Sequence, residues 1–369
     1  MRGLRHIHLR DLRHARHHAL PRMSGKARRR CHRRKDQRVT GSADAILAGF
    51  CVGHSTDVRG ATGVTVIRRD DGPMRCGVAV FGRATGSREL LAASADHLVD
   101  GRIDAIMLTG GSAYGLDAAA GVMRWMEEQR RGFSVGAGVV PIVPAAVVFD
   151  LTPLGAFDAR PTAQMAYDAC ASARSSGIAE GSVGAGTGTT VGKLLGFSAC
   201  MKGGIGIATE TVAARDVTVV AVAVVNALGD VRDSAGAIIA GARRADGGFA
   251  DTEQVLRSGG ASTAGVQPLQ MTNTTLAVVA VSRPLGSTAL TQLARSAGAA
   301  LFRRITPCGT SSDGDVVFAI SPVDGDPLDE VPLVTEALAT SALEQAIERA
   351  VRFARGRDGI PGLADAHVN

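Results

Sequence analysis

Thr272-Asn273-Thr274-Thr275 stands directly before an apolar run at residues 275–281. A hydroxyl held where a polar segment opens into a buried strand can attack the peptide carbonyl in front of it. If Thr274 attacks the carbonyl of Asn273, an N-to-O acyl shift and ester hydrolysis free the Thr274 amine. That amine, with an unperturbed pKa of about 7.7 to 8, is a usable base at neutral pH for the hydroxyl on the same residue. The plainer reading is a polar loop leading into a sheet. Asp313 and Asp315 flank Gly314. Two apart at a strand start, they point to one face and can present paired carboxylates, although Asp-Gly is also an ordinary turn pair. After residue 40 the chain uses Arg for every cation except Lys193 and Lys202. Arg stays charged, whereas burial can tune the pKa of Lys. Two lysines in a Gly-rich stretch of such a chain therefore suggest that at least one serves chemistry; the bland alternative is a surface lysine.

Other readings fail on spacing. Counting back from Gly192-Lys193 puts Thr187 where a phosphate loop needs its first Gly, and Leu194 stands where Ser or Thr would bind magnesium. Gly186-Thr187-Gly188 is followed by Val191 at the third position of a dinucleotide fingerprint, and a nucleophile elbow at Ser112 would need Gly where Tyr114 stands. No cluster of ligand residues stands outside the histidines near the start of the chain, so no metal and no cofactor are expected.

These residues must be carried by elements of both kinds. The apolar run at 103–108 breaks at Thr109-Gly110-Gly111-Ser112, and residues 113–130 follow as a helix with Ser112 placed to cap it. Residues 139–151 are extended and apolar but hold Pro141 and Pro144, which suggests an edge or irregular strand. Residues 162–176 read as an Ala-rich helix. The β-branched runs at 217–225 and 275–281 read as strands buried on both faces. A helix over 288–301 precedes the Ser311–Asp315 turn and a strand at 316–320, and a long amphipathic helix lies within 328–354. Strands buried on both faces beside Ala-rich helices imply stacked layers, sheets inside and helices outside. The alternation is too irregular for a doubly wound sheet.

Hydrophobic content of 45% and charged content of 21% are those of a globular protein. With only 4% aromatics and 46 Gly, close packing must rest on Ala, Val and Gly. The net charge of +6 misleads, because residues 1–40 hold 14 Lys+Arg against 2 Asp+Glu and leave the rest of the chain at −6. Residues 1–42 are read as a disordered or artefactual basic extension, 43–357 as one domain and 358–369 as a flexible tail. No apolar run reaches the roughly 18 to 20 residues of a bilayer span, so no membrane partner is expected. The six Cys are scattered without a C-x-x-C pair and suit a reducing compartment.

Taken in order, the motifs resemble the self-processing aminopeptidase–esterase family, which includes beta-peptidyl aminopeptidases and nylon-oligomer hydrolases. They are Val52-Gly53-His54 with Ala61-Thr62-Gly63-Val64-Thr65-Val66, Gly110-Gly111-Ser112-Ala113-Tyr114-Gly115-Leu116, residues 139–151, Gly184-Ala185-Gly186 before Gly192-Lys193, Val224-Val225-Asn226, Asn273-Thr274-Thr275 and Asp313-Gly314-Asp315. The resemblance covers about residues 46 to 355. It implies an α+β fold, a four-layer αββα sandwich of the N-terminal-nucleophile kind, self-cleaved between Asn273 and Thr274 into 1–273 and 274–369. It implies Thr274 as nucleophile, Asp313 and Asp315 orienting its hydroxyl and amine, Lys193 beside it, and Asn226 donating to the developing oxyanion. Phe149 falls where some relatives carry a Tyr; lacking the hydroxyl, it can only shape the substrate pocket. Thr at 274 looks more like the nylon-oligomer hydrolase branch than the Ser-type aminopeptidases. The substrates implied are small amides or short peptides, and the assembly a cytoplasmic tetramer of processed heterodimers.

Two other classes remain to be weighed. Ornithine acetyltransferases share this style of fold, the self-cleavage and a Thr nucleophile, and acetyl transfer from acetylornithine to glutamate would separate them. A nucleic-acid-binding protein driven by residues 1–40 would show salt-dependent binding that vanishes on their deletion; the acidic body argues against it, and no nucleic acid is expected.

Overall fold

The computed structural model describes residues 42–43, 49–259 and 272–367. Chain contacts divide the protein into Met1–Arg38 and Val39–Asn369. The extension expected over residues 1–42 lies outside the described residues except for Ser42, which pairs with Ala179.

Thirteen strands and five helices position the site. In chain order the strands are β1 Phe50–Asp57, β2 Thr62–Arg69, β3 Met74–Val80, β4 Ser87–Arg88, β5 Arg102–Ile103, β6 Ala105–Thr109 and β7 Ala145–Val147. They continue as β8 Thr190–Val191, β9 Met201–Lys202, β10 Gly204–Val212, β11 Val217–Asn226, β12 Thr274–Val281 and β13 Val316–Pro322. The helices are α1 Ala119–Glu128, α2 Ala163–Ala171, α3 Ser287–Ala297, α4 Ala299–Arg304 and α5 Leu333–Arg352.

One sheet runs β1-β2-β6-β7-β4 and the other β10-β11-β12-β13-β3-β5. Their facing sides share a core in which Val52, Ile67, Ile106 and Leu108 of the first meet Val222, Val224, Leu276, Val278 and Phe318 of the second. The outer face of the first sheet, with Val64, Val66 and Met107, packs on α1 and α2 through Val122, Met126, Ala166 and Ala169. The outer face of the second, with Val219, Ala221, Val279 and Val317, packs on α3, α4 and α5 through Leu290, Leu293, Leu301, Leu343 and Ile347. The result is four layers, αββα. The Val- and Ala-rich apolar runs of β11 and β12 follow from this, because both faces of those strands are covered.

Small residues let the outer layers close. Gly204 and Gly206 face α5 so tightly that a Cβ would stand 2.3 Å from the Ala350 oxygen and 2.1 Å from the Ala346 oxygen. Glu336 in the first turn of α5 and Arg349 and Arg352 in its last suit the helix dipole.

Several local expectations change. Residues 112–118 form a 3-10 turn before α1, and Ser112, with φ of 52°, caps nothing. The Asp150 carboxylate accepts the N–H at the entry to that turn, from Gly111 at 2.6 Å. Within 139–151 only β7 joins the large sheet, between β6 and β4 and not at the edge. The helix expected over 162–176 closes at Ala171, with Thr162 as its cap accepting from the Met165 N–H. The helix expected over 288–301 breaks at Gly298, where the Phe81 ring lies so close that a Cβ would meet it at 2.0 Å. Residues 358–367, expected to trail flexibly, pack on the body: Ile360 is buried with Ala61, Leu154 and Cys200, and the Lys202 N–H donates to the Pro361 carbonyl at 2.9 Å.

Candidate active site

The mouth of β12 gathers the residues singled out in the sequence. Asn226 ends β11 directly opposite Thr274, the first residue of β12. Asn273 bridges Asp313 on the other side. Thr272, Asn273 and Thr274 are all buried, so the Asn273–Thr274 bond is held inside the sandwich and not on a loop tip.

The peptide bond is gripped at its oxygen. Thr274 Oγ1 donates to the Asn273 carbonyl at 2.5 Å, and the Gly314 N–H donates to the same oxygen at 3.0 Å. A backbone N–H aimed at that oxygen polarises the carbonyl and stabilises charge that develops there.

Lys193 is 2% exposed. Its Nζ donates to Thr272 O at 2.8 Å, Asn226 Oδ1 at 2.9 Å and Asn226 O at 3.2 Å. Three acceptors use all three protons of an ammonium group, while burial pushes its pKa down to about 7. The Asn226 carboxamide is fixed at both ends. Oδ1 accepts from Lys193 and from the Thr190 N–H at 3.0 Å. Nδ2 donates to Thr272 O and to Phe149 O, each at 3.0 Å. In the uncleaved chain the Asn226 amide thus holds the Thr272 carbonyl, two residues before Thr274. Phe149 is half-buried and supplies a main-chain acceptor.

The two carboxylates hold different segments: Asp315 takes the residue after Thr274, and Asp313 takes the loop before itself. Asp315 Oδ1 accepts from the Thr275 N–H at 2.5 Å, and Oδ2 accepts from the Gly309 N–H at 3.0 Å and the Cys308 thiol at 3.1 Å. Burial, with the nearby Asp313 charge, raises the Asp315 pKa to about 6. Asp313 is also buried, and its Oδ2 takes both the N–H and the hydroxyl of Thr310, at 2.9 and 2.6 Å.

Sequence reasoning missed three groups and left a fourth without a role. The Gly314 N–H was read only as part of a turn. Cys308 and Thr310 sit in the loop before Asp313 with no spacing that marks them. Lys202, singled out with Lys193 by its rarity as a cation but given no role of its own, is fully buried. All five free cysteines among the described residues are unpaired thiols.

Two sheets packed between helix layers, with a buried Thr opening a central strand beside Lys, Asn and two Asp, make a fold of the Ntn-hydrolase type. The chain belongs to peptidase family S58, which it matches over residues 45–362. It is 39% identical over 354 residues to an uncharacterized aminopeptidase of Mycobacterium leprae, covering 85% of this chain and 91% of that one. It is 30% identical over 296 residues to a 6-aminohexanoate-oligomer endohydrolase of Kocuria sp., covering 78% of this chain and 75% of that one. The Burkholderia sp. beta-aminopeptidase structure superposes with a TM-score of 0.64 at 23% identity, over 88% of this chain and 92% of that one. The L-aminopeptidase D-Ala-esterase/amidase of Ochrobactrum anthropi, described as a variant of the Ntn hydrolase fold, gives 0.64 at 22%, over 87% and 90%. The protein is a hydrolase acting on amide bonds.

Proposed function

We propose that the chain cuts itself between Asn273 and Thr274 and then hydrolyses small linear amides with Thr274 as N-terminal nucleophile. The observation that carries this is the placement of Thr274 Oγ1 and the Gly314 N–H on one oxygen, that of Asn273. In the first stage Oγ1 bonds to the Asn273 carbonyl carbon, its proton passes to the amide nitrogen, and the C–N bond breaks to leave an ester. Water hydrolyses the ester to an Asn273 carboxylate and restores the Thr274 hydroxyl beside a free amine.

In the second stage that amine takes the hydroxyl proton as Oγ1 attacks a substrate carbonyl and passes it to the substrate nitrogen as the C–N bond breaks; the amine product leaves and water hydrolyses the acyl-enzyme. Removal of the Thr272–Asn273 strand end frees the Asn226 amide and Lys193 to face the substrate oxygen. The Lys193 charge favours the neutral, basic form of the Thr274 amine. The substrates are amides with a free amino group, drawn by the acidic body: aminohexanoate oligomers, short peptides and amino-acid amides. Processed heterodimers assemble as a tetramer in the cytoplasm, a compartment that suits free thiols. Among the described residues no helix is long and apolar enough to cross a membrane.

Intact-mass measurement of the purified protein, paired with hydrolysis of aminohexanoate oligomers and their N-acetylated forms, tests the reading. Two fragments, the smaller beginning at Thr274, are expected, with Thr274→Ala full length and inactive. Cleavage of that variant at the same bond sinks the assignment, and equal rates on acetylated substrates sink the amine preference.

A further inference from the structure

Both lysines of the body are buried, and both lead to Asn226, one directly and one through the backbone. Lys202 is among the largest fully buried side chains of the described residues, with 0% exposure. Its Nζ donates to the carbonyls of Thr187 at 2.8 Å and Thr189 at 2.7 Å. The Gly203 N–H adds a third tie, to Thr189 O at 3.0 Å. β8 and β9 pair antiparallel with Thr190 opposite Lys202, so these bonds hold the strand residue whose N–H reaches Asn226 Oδ1 at 3.0 Å. The other end of the same carboxamide rests on Phe149 O, and Asp150, next in the chain, is anchored to the Gly111 N–H.

A carboxamide can flip its oxygen and nitrogen unless its partners distinguish them. Here Oδ1 meets two donors and Nδ2 two acceptors, and the Thr190 N–H is one of the four groups that impose that sense. We infer that Lys202 is a positioning residue: it fixes the Thr-rich 187–190 segment so that Thr190 orients Asn226 with its amide hydrogens toward the reacting carbonyl. A buried lysine is costly compared with an apolar side chain of similar size, so its place in the core is explained by what it holds.

The inference rests on the proposed role of Asn226 as oxyanion donor, and a double-mutant cycle separates the two. Asn226→Ala, Lys202→Met and the pair are compared in the full chain by intact mass, melting temperature, kcat and KM on an aminohexanoate oligomer, normalised to active-site titration. Asn226→Ala is expected to lower kcat by about 10²-fold, as for loss of one oxyanion donor. Lys202→Met should lower kcat by about tenfold with KM nearly unchanged. The double variant should fall within about twofold of Asn226→Ala alone, because residues that act through one group are not additive. If Asn226→Ala retains full kcat, the active-site reading fails. If Asn226→Ala is crippled but Lys202→Met leaves kcat intact, or the losses multiply, the inference about Lys202 is overturned. Should Lys202→Met not fold, Lys202→Gln, which keeps two N–H donors on a shorter arm, carries the same cycle.

Discussion

The Gly314 amide donates to the Asn273 carbonyl oxygen at 3.0 Å, on the bond that Thr274 would break. No side chain fits at 314: a Cβ would stand 2.8 Å from Thr274 Oγ1 and 2.7 Å from Ala84 O. Gly314→Ala should therefore displace the hydroxyl or the amide and slow self-cleavage by about 10²-fold, with little loss of secondary structure. A time course of intact mass after synthesis, with circular dichroism as the folding control, reads the effect. Processing at the wild-type rate would show that the contact does not matter.

The acid limb of turnover should report Asp315, whose ionised carboxylate accepts most strongly from the Thr275 N–H, beside the proposed nucleophile Thr274. A limb in kcat/KM near pH 6 is expected, following the raised pKa of about 6. The Cys308 thiol stays protonated, its pKa pushed up by burial and by the Asp315 charge, so it is a donor to that carboxylate. Cys308→Ala removes a donor to the charged form and should move the limb up by about half to one unit. Cys308→Ser should restore it. A limb that ignores both variants would assign it to another group.

Lys193 predicts the opposite limb. Its charge should be lost near pH 7, where burial places its pKa, and turnover should fall as pH rises through that value. Stability moves the other way. Above about pH 7 the folded chain releases protons from Lys193 and Lys202 that an unfolded chain keeps until the ordinary value of 10.5. The unfolded state then binds more protons, so these two groups make stability rise with pH between those limits. Denaturant midpoints of Lys193→Met against wild type across pH 7 to 10 check the sign; a stability that falls faster in wild type than in the variant contradicts it.

The layered fold was legible because burial on both faces writes itself into β11 and β12 as unbroken Val and Ala runs. Thr274, Asp313 and Asp315 could be singled out because polar residues of these types stand at strand starts, and the structure brings them together at the mouth of β12. What stayed hidden was whatever the main chain does. The Gly314 N–H and the carbonyls of Thr272 and Phe149 carry no side-chain signature, although they set the geometry of the site. The 3-10 turn after Gly111 was hidden for a related reason, since the partner that fixes its entry, Asp150, lies 39 residues away. Gly298 could be read as a helix residue until Phe81 was seen against it.

The backbone-to-backbone seating of α5 on Gly204 and Gly206 limits how this enzyme can be improved. Larger core side chains, a common route to a hardier protein, have nowhere to go in that layer, because there the packing gap is already smaller than a methyl group. Gains in heat tolerance must come instead from loops, helix ends and contacts between copies. The low aromatic content of the sequence thus has a practical meaning: much of the protein's compactness is made from missing atoms, and those positions can only be made worse.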